Sequence, residues 1–215
     1  MVSQYPRSDR VQGAMKTARF HSIAAVALML GIVPSRARAA GDDAVSKPVR
    51  TLINAIRYQK DAIGLKSLAG ETQGRTLLGA DWGRITPAQR EEFVRLFHGL
   101  LAGIAFPRVR ADFEKLETIV YEKAKVNGES AEIGSTIVIL HTLKKQEIRA
   151  VYRLVAEGKG AWKVVDVTIV GDQSMLTNIR SDQIGPLMKK GGIEHLLKAM
   201  RDRIVEVQAQ GAKGH

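Results

Sequence analysis

The middle of the chain contains the sequence AEIGSTIVILHTLKKQEIRAVYRLVAEGKGAWKVVDVTIV (residues 131–170). Apolar and polar residues alternate in the third predicted strand, whereas the second and fourth are apolar on both faces over much of their length, which indicates strands that are covered on both sides. The turns between these runs are too short for parallel pairing, so we predict an antiparallel sheet. The predicted strands are Thr118–Val126, Ala131–Leu143, Glu147–Ala156 and Ala161–Val170, with turns at Asn127-Gly128, Lys144-Lys145-Gln146 and Gly158-Lys159-Gly160.

Helical spacing of apolar residues is found on both sides of this sheet. Upstream, one helix is predicted from Pro48, and the capping-box sequence Thr86-Pro87-Ala88-Gln89 predicts the start of another. Pro107 is expected to break that helix after Phe106, and it can open another that carries Val109, Phe113 and Leu116 on one side. Downstream, two more helices are predicted, separated by Gly191-Gly192. Helices, then an antiparallel sheet of four or slightly more strands, then helices again, indicate the α+β class.

The N-terminus has the pattern of a secretory signal peptide. An apolar run, Ile23–Val33, follows basic residues and precedes the small-x-small triplet Ala37-Arg38-Ala39. The alternative is a retained membrane anchor, but at about 11 residues the run is shorter than the ~20 that span a bilayer. We therefore predict a signal peptide over residues 1–39, cleaved near Ala39, and export to the periplasm. Met15 is an alternative start, which would place residues 1–14 upstream of the true start.

The remaining chain is predicted to form one domain over residues 40–207, with a flexible tail at residues 208–215. The formal net charge of the whole chain is +11, but residues 1–39 contribute +5 of it. Aromatic residues make up only 5% of the chain and fall in apolar stripes, so nucleic-acid binding is not expected. There is no cysteine, which excludes disulfides and thiolate chemistry.

No arrangement of residues predicts catalysis. The histidines at 98, 141 and 195 form no ligand pair at helical spacing, so neither a metal site nor a cofactor is expected. Asp166 lies in a predicted strand among apolar neighbours, either as a structural hydrogen-bond acceptor, which we favour, or as a catalytic acid. We predict that the protein is not an enzyme.

Several short motifs follow one another along the chain. They are Leu77-Leu78-Gly79-x-x-Trp82-x-x-Ile85-Thr86-Pro87-x-Gln89-Arg90-x-x-Phe93, Phe97, Leu100-Leu101, Val151-Tyr152-x-Leu154, Trp162-Lys163-Val164-x-Asp166-Val167 and Gly171-x-x-Ser174-x-x-x-Asn178-x-Arg180-Ser181. In this order the motifs resemble the MlaC or toluene-tolerance family, and the resemblance covers roughly residues 45–206. One departure is Glu71-Thr72-Gln73-Gly74, where the family pattern has an aspartate-phenylalanine pair.

The resemblance implies a periplasmic carrier that holds phospholipid tails in an apolar pocket between a curved sheet and helices. It implies exchange of lipid with an outer-membrane lipoprotein complex and with an inner-membrane MCE-domain ring and its ABC transporter. We expect a monomer without cofactors. The alternative function is a periplasmic binding protein for another hydrophobic ligand, such as a hopanoid, a sterol-like molecule or a solvent.

The residues alone leave open whether the apolar stripes form a pocket or a close-packed core. For the pocket, we predict that tails contact side chains on one helix, on three strands and just after the sheet. Arg180 is the predicted head-group contact, or else it pairs with Asp166 or a carbonyl group. The predicted tail contacts are Phe93, Phe97, Leu100, Val138, Leu140, Tyr152, Val165, Val167, Met175 and Ile179.

Overall fold

The computed structural model of the protein describes residues 36–141, 144–158 and 160–213. The predicted signal peptide, apart from residues 36–39, lies outside these residues. The helical elements before the sheet are α1 (Arg36–Arg57), α2 (Asp61–Leu65), α3 (Gly70–Leu78), a 3-10 turn (Gly79–Gly83), α4 (Pro87–Leu100), a first π-helical turn (Leu101–Ala105) and α5 (Phe106–Phe113). The strands are β1 (Leu116–Tyr121), β2 (Lys125–Asn127), β3 (Ser130–His141), β4 (Lys144–Glu157) and β5 (Ala161–Ile169). The chain continues with α6 (Met175–Ile179), a second π-helical turn (Arg180–Ile184) and α7 (Gly185–Lys213).

The predicted α+β class and antiparallel sheet are confirmed. The strand order is β1-β3-β4-β5, and β2 pairs with β3 beyond the end of β1. The predicted first strand is therefore two short strands on the same edge of β3, because pairing is interrupted between Tyr121 and Lys125.

The predicted turn at Lys144-Lys145-Gln146 is wrong, because these residues belong to β4. The pairing of β3 with β4 continues as far as His141 opposite Lys144. Residues 144–147 are exposed, so no apolar alternation marks them as a strand in the sequence. The two residues that connect β3 to β4 lie outside the described part of the chain.

A β-bulge interrupts β5 at Val165. Asp166 lies opposite Arg153 on β4, but Val164 lies opposite Leu154, so Val165 is an extra residue without a partner. A bulge bends its strand and leaves ladder groups that other residues must satisfy. Both Val164 and Val165 are buried as a result.

The predicted break after Phe106 is also wrong. The helix continues from α4 into α5 through the first π-helical turn, in which the Phe106 N–H donates to the Leu101 carbonyl. Pro107 has no N–H and its ring crowds the carbonyl four residues earlier, that of Gly103. The wider turn, placed just before the proline, keeps the chain helical.

The second π-helical turn has the same position relative to a proline. The Gly185 N–H donates to the Arg180 carbonyl, and Pro186 follows. Farther along, α7 is kinked at Gly191-Gly192, where the φ of Gly192 is +66° and its backbone is left-handed. This kink lies where the sequence predicts separate helices. Beyond it, α7 extends to Lys213, so residues 208–213 of the predicted tail are helical, and their flexibility stays a prediction.

Helix α1 starts earlier than the sequence predicts and contains Pro48 inside it. It ends at Arg57, and Gln59 follows with a left-handed φ of 56° before α2. Within the described part of the chain, no helix combines the length and the apolar character needed to span a bilayer. The helices cover one face of the sheet, and the most deeply buried apolar side chains are Val49, Leu77, Phe93, Ile133, Leu154, Val165, Leu176, Leu196 and Leu197.

Candidate functional site

A cavity of about 240 Å³ lies between the inner face of the sheet and the helices. Its lining is almost wholly apolar. From the sheet it includes Ile137, Ile139, Ile148, Ala150, Tyr152, Val164, Val165 and Val167. From the helical elements it includes Leu52, Ile53, Ile56, Leu101, Ala105, Phe106, Val109 and Phe113.

The alternation of side chains along the strands determines which residues of the sheet face the cavity. Side chains at every second position point to the same face, and antiparallel register brings matching faces together. Ile137 lies opposite Ile148, and Tyr152 lies opposite Val167, so β3, β4 and β5 present one continuous apolar surface to the helices.

The Tyr152 hydroxyl is the polar group that β4 brings to this surface. The Ser135 hydroxyl, itself buried, lies 3.5 Å from it and donates a weak hydrogen bond. Burial raises the pKa of Tyr152, which keeps the phenol neutral at physiological pH. The cavity therefore gains no charge from this side chain.

A buried polar network supports the bulge from the helical side. Gln73, which lines the cavity and is fully buried, donates from Nε2 to the Val165 carbonyl at 2.9 Å. Its Oε1 lies 3.0 Å from His98 Nε2, so that nitrogen is the donor. Burial lowers the pKa of His98, which favours the neutral ring. The network satisfies the carbonyl that the bulge leaves unpaired.

Asp166 has a structural role in these contacts. One carboxylate oxygen accepts hydrogen bonds from the Val167 N–H at 2.9 Å and the Leu176 N–H at 3.0 Å, and the other lies 3.5 Å from Arg153. The carboxylate thus joins the bulge to the start of α6. The acceptor role favoured from the sequence is what the structure shows, with Arg153 rather than Arg180 as the ion-pair partner.

The opening of the cavity is marked by the two lining side chains that are exposed, Asp112 on α5 and Ile169 at the end of β5. The other polar lining groups, on Gln73, Tyr152 and Asp166, have partners within the protein. Within the described residues there is no group of three His, Asp or Glu side chains that could hold a metal ion. The arrangement offers hydrocarbon surface rather than a nucleophile with an adjacent base.

A groove of about 600 Å³ lies next to the cavity, between α4 with its π-helical turn and α7. Leu101, Ala105 and Val109 line both spaces. The helical segment from the first π-helical turn into α5 is therefore a common wall.

The predicted tail contacts are distributed over these spaces and the core. Phe93 lines neither space; it is fully buried and stacks against Phe97 with ring centroids 6.2 Å apart. The cavity is lined by Tyr152, Val165, Val167 and Met175, and the groove by Phe97, Leu100 and Ile179. Whether lipid touches any of them stays a prediction.

Val138 and Leu140 do not line the cavity. They lie on the outer face of β3, since Ile137 and Ile139 point inward, and Leu140 is 51% exposed. The residues 137–140 are all apolar, so the sequence gives no alternation that distinguishes the two faces, and a shift by one residue exchanges them. Arg180 is exposed beside Gly79 and lines neither space.

Other cavity residues were not predicted from the sequence. The apolar stripe of α1 supplies Leu52 and Ile56, and α5 supplies Phe106 and Val109. The helical stripe of α1 indicated a buried face but not what that face covers. For β3, the wrongly predicted turn at residues 144–146 would place Val138 opposite Tyr152 and Leu140 opposite Ala150, whereas the observed register pairs Ile137 with Ile148.

Residues 54–202 match the family described as MlaC protein. The chain belongs to the MlaC family. No curated protein sequence is significantly similar to this MlaC-family chain.

Among solved structures, this MlaC-family chain is similar to a phospholipid-binding protein from Ralstonia solanacearum, solved in complex with a phospholipid. The TM-score is 0.62 and the sequence identity 17%, and the match covers 78% of this chain and 98% of the other. At this identity the likeness shows a common fold.

Proposed function

We propose that this protein binds a phospholipid by burying acyl tails in the cavity between its sheet and its helices. The lining of the cavity carries the proposal: its polar side chains are few, and all but the exposed Asp112 have partners inside the protein. Membership of the MlaC family and the likeness to a phospholipid-bound protein support it.

Such a cavity suits a carrier for physical reasons. Exposing a two-tailed lipid with about 30 methylenes to water costs on the order of 24 kcal/mol at ~0.8 kcal/mol per methylene. A dry cavity makes the exchange with a bilayer nearly balanced, because the tails leave one apolar environment for another. Neither covalent chemistry nor a cofactor is required, so we propose a carrier rather than an enzyme.

We further propose that the protein works in the periplasm, as a monomer. There it would exchange phospholipid with an outer-membrane lipoprotein complex and an inner-membrane MCE-domain ring with its ABC transporter. The signal-peptide pattern in residues 1–39 and the family membership support this assignment. The direction of net transport would be set by the partners, since a carrier can exchange lipid both ways.

The charge at the cavity opening favours one alternative. The exposed charged side chain of the lining is the Asp112 carboxylate, which would repel a phosphate head group. An uncharged hydrophobic ligand, such as a hopanoid, a sterol-like molecule or a solvent, is therefore the second candidate.

Lipid extraction from the protein tests these functions. The protein is purified without added lipid, extracted with organic solvent and analysed by mass spectrometry. We expect phospholipid in molar proportion to protein. A terpenoid in place of phospholipid would favour the alternative ligand, and extracts without either from repeated preparations would contradict both functions.

A further inference from the structure

We propose that the groove between α4 and α7 holds a further acyl chain, so that lipid tails bind on both sides of the first π-helical turn. This inference rests on the proposed function, because it concerns the same class of ligand. The chain comes either from the lipid in the cavity or from a second lipid.

Volume is the first argument. The groove, at about 600 Å³, is larger than the cavity, at about 240 Å³. A two-tailed lipid therefore finds more space in the cavity and the groove together than in the cavity alone.

Continuity is the second argument. Leu101, Ala105 and Val109 line both the cavity and the groove, so a single helical segment separates the two spaces. The lining of the groove is mostly apolar, although more polar than that of the cavity, and it includes the buried side chains of Phe97, Leu196 and Met200. Two chains on either side of this segment would both lie against hydrocarbon.

The helix geometry is the third argument. Both π-helical turns border the groove: the first through Leu101, Ile104 and Ala105, and the second through Gln183 and Ile184. A π-helical turn is rare and is frequently found at functional sites. Two of them facing one groove point to a space that the fold maintains.

Charge at the rim is the fourth argument and indicates which kind of lipid fits. Arg108 and Arg203 line the groove and are exposed. Arg203 pairs with Glu206 at 2.7 Å, whereas Arg108 forms no ion pair among the described residues. An apolar floor beside a guanidinium matches a hydrocarbon chain that ends in an anionic phosphate head group.

The two spaces contain different methionines, which gives a direct test. Met175 lines the cavity and Met200 lines the groove. The protein is labelled with ¹³C at its methionine methyl groups and loaded with dioleoyl phosphatidylglycerol, and isotope-filtered NOEs to the acyl protons are recorded. We expect NOEs at both methyl groups.

The other possible NOE patterns would each overturn a different part of the proposal. NOEs at Met175 alone would overturn the groove site and leave the proposed function standing. NOEs at neither methyl group would overturn the proposed function together with this inference, and NOEs at Met200 alone would overturn the two-sided arrangement. When both are seen, phosphorus analysis separates two chains of one lipid, with one phosphorus per protein, from a second lipid, with two.

A matched pair of variants gives a second test. Ala199 lines the groove, whereas Ala209 is exposed on the same helix and does not. We expect Ala199→Trp to lose the NOEs at Met200 and retain those at Met175, and Ala209→Trp to retain both. If Ala199→Trp retains NOEs at Met200 the inference is overturned; if it does not fold, the wild-type experiment decides.

Discussion

The cavity beneath the sheet and the groove between α4 and α7 share one wall but differ in how their polar groups are used. In the cavity, Gln73, Tyr152 and Asp166 are engaged by the protein itself. In the groove, Arg108 and Arg203 lie at an exposed rim. The difference teaches that polar groups in the cavity maintain the fold, whereas Arg108 at the groove is, in our proposal, the group that meets the charged part of a ligand.

We expect the largest loss of stability from a substitution in the helical segment that forms the common wall of the cavity and the groove. Leu101 is buried and borders both spaces, so Leu101→Ala should lower the free energy of unfolding by about 2–5 kcal/mol. The control is Leu100→Ala, because Leu100 is half-buried and lines the groove alone. Urea unfolding measures the free energy of unfolding of both variants. Equal losses would show that Leu101 is no more important to the wall than its neighbour.

The polar network of the cavity gives the next largest effect. Gln73→Leu leaves the Val165 carbonyl and the His98 N–H without their partner, which should cost about 1–3 kcal/mol of unfolding free energy. Gln208→Leu, at an exposed position on α7, should change stability by no more than about 0.5 kcal/mol. A near-neutral Gln73→Leu in urea unfolding would show that the bulge does not depend on this side chain.

A smaller effect should appear as a dependence of stability on pH. Burial lowers the pKa of His98 in the folded protein, so the unfolded chain binds the proton more readily. Stability should therefore be fully present above the unfolded pKa of about 6.5 and fall as the pH drops through and below that value. His98→Asn should flatten this part of the profile. If the wild type and the variant lose stability in parallel between pH 7.5 and 5.5, His98 is not the cause.

The sequence predicted the parts of the fold that rest on local chemistry. The capping box at Thr86 is present, with Gln89 as its reciprocal partner. The inner face of β4 could be identified because Arg149 and Arg153 alternate with Ala150 and Tyr152. Periodicity and capping are properties of neighbouring residues, so one sequence is enough to show them.

The features that shape the candidate site depend on residues far apart in the chain. The bulge at Val165 is supported by Gln73, which lies many residues upstream. No pattern of neighbouring residues in the sequence predicts this bulge. Pro107 predicted an interruption, but only packing determines that the helix widens into a π-helical turn instead of ending. For Val138 and Leu140, a strand that is apolar on both faces left the inward face undecided.

One comparison of lipid content tests most directly whether tails occupy the cavity. Ala150 is buried on its lining, and Val151 is the next residue of β4 and points to the opposite face. We predict that folded Ala150→Phe retains much less phospholipid per protein than the wild type, because the ring takes up the space of the tails, and that Val151→Phe retains the wild-type amount. Wild-type phospholipid content in folded Ala150→Phe would contradict the account.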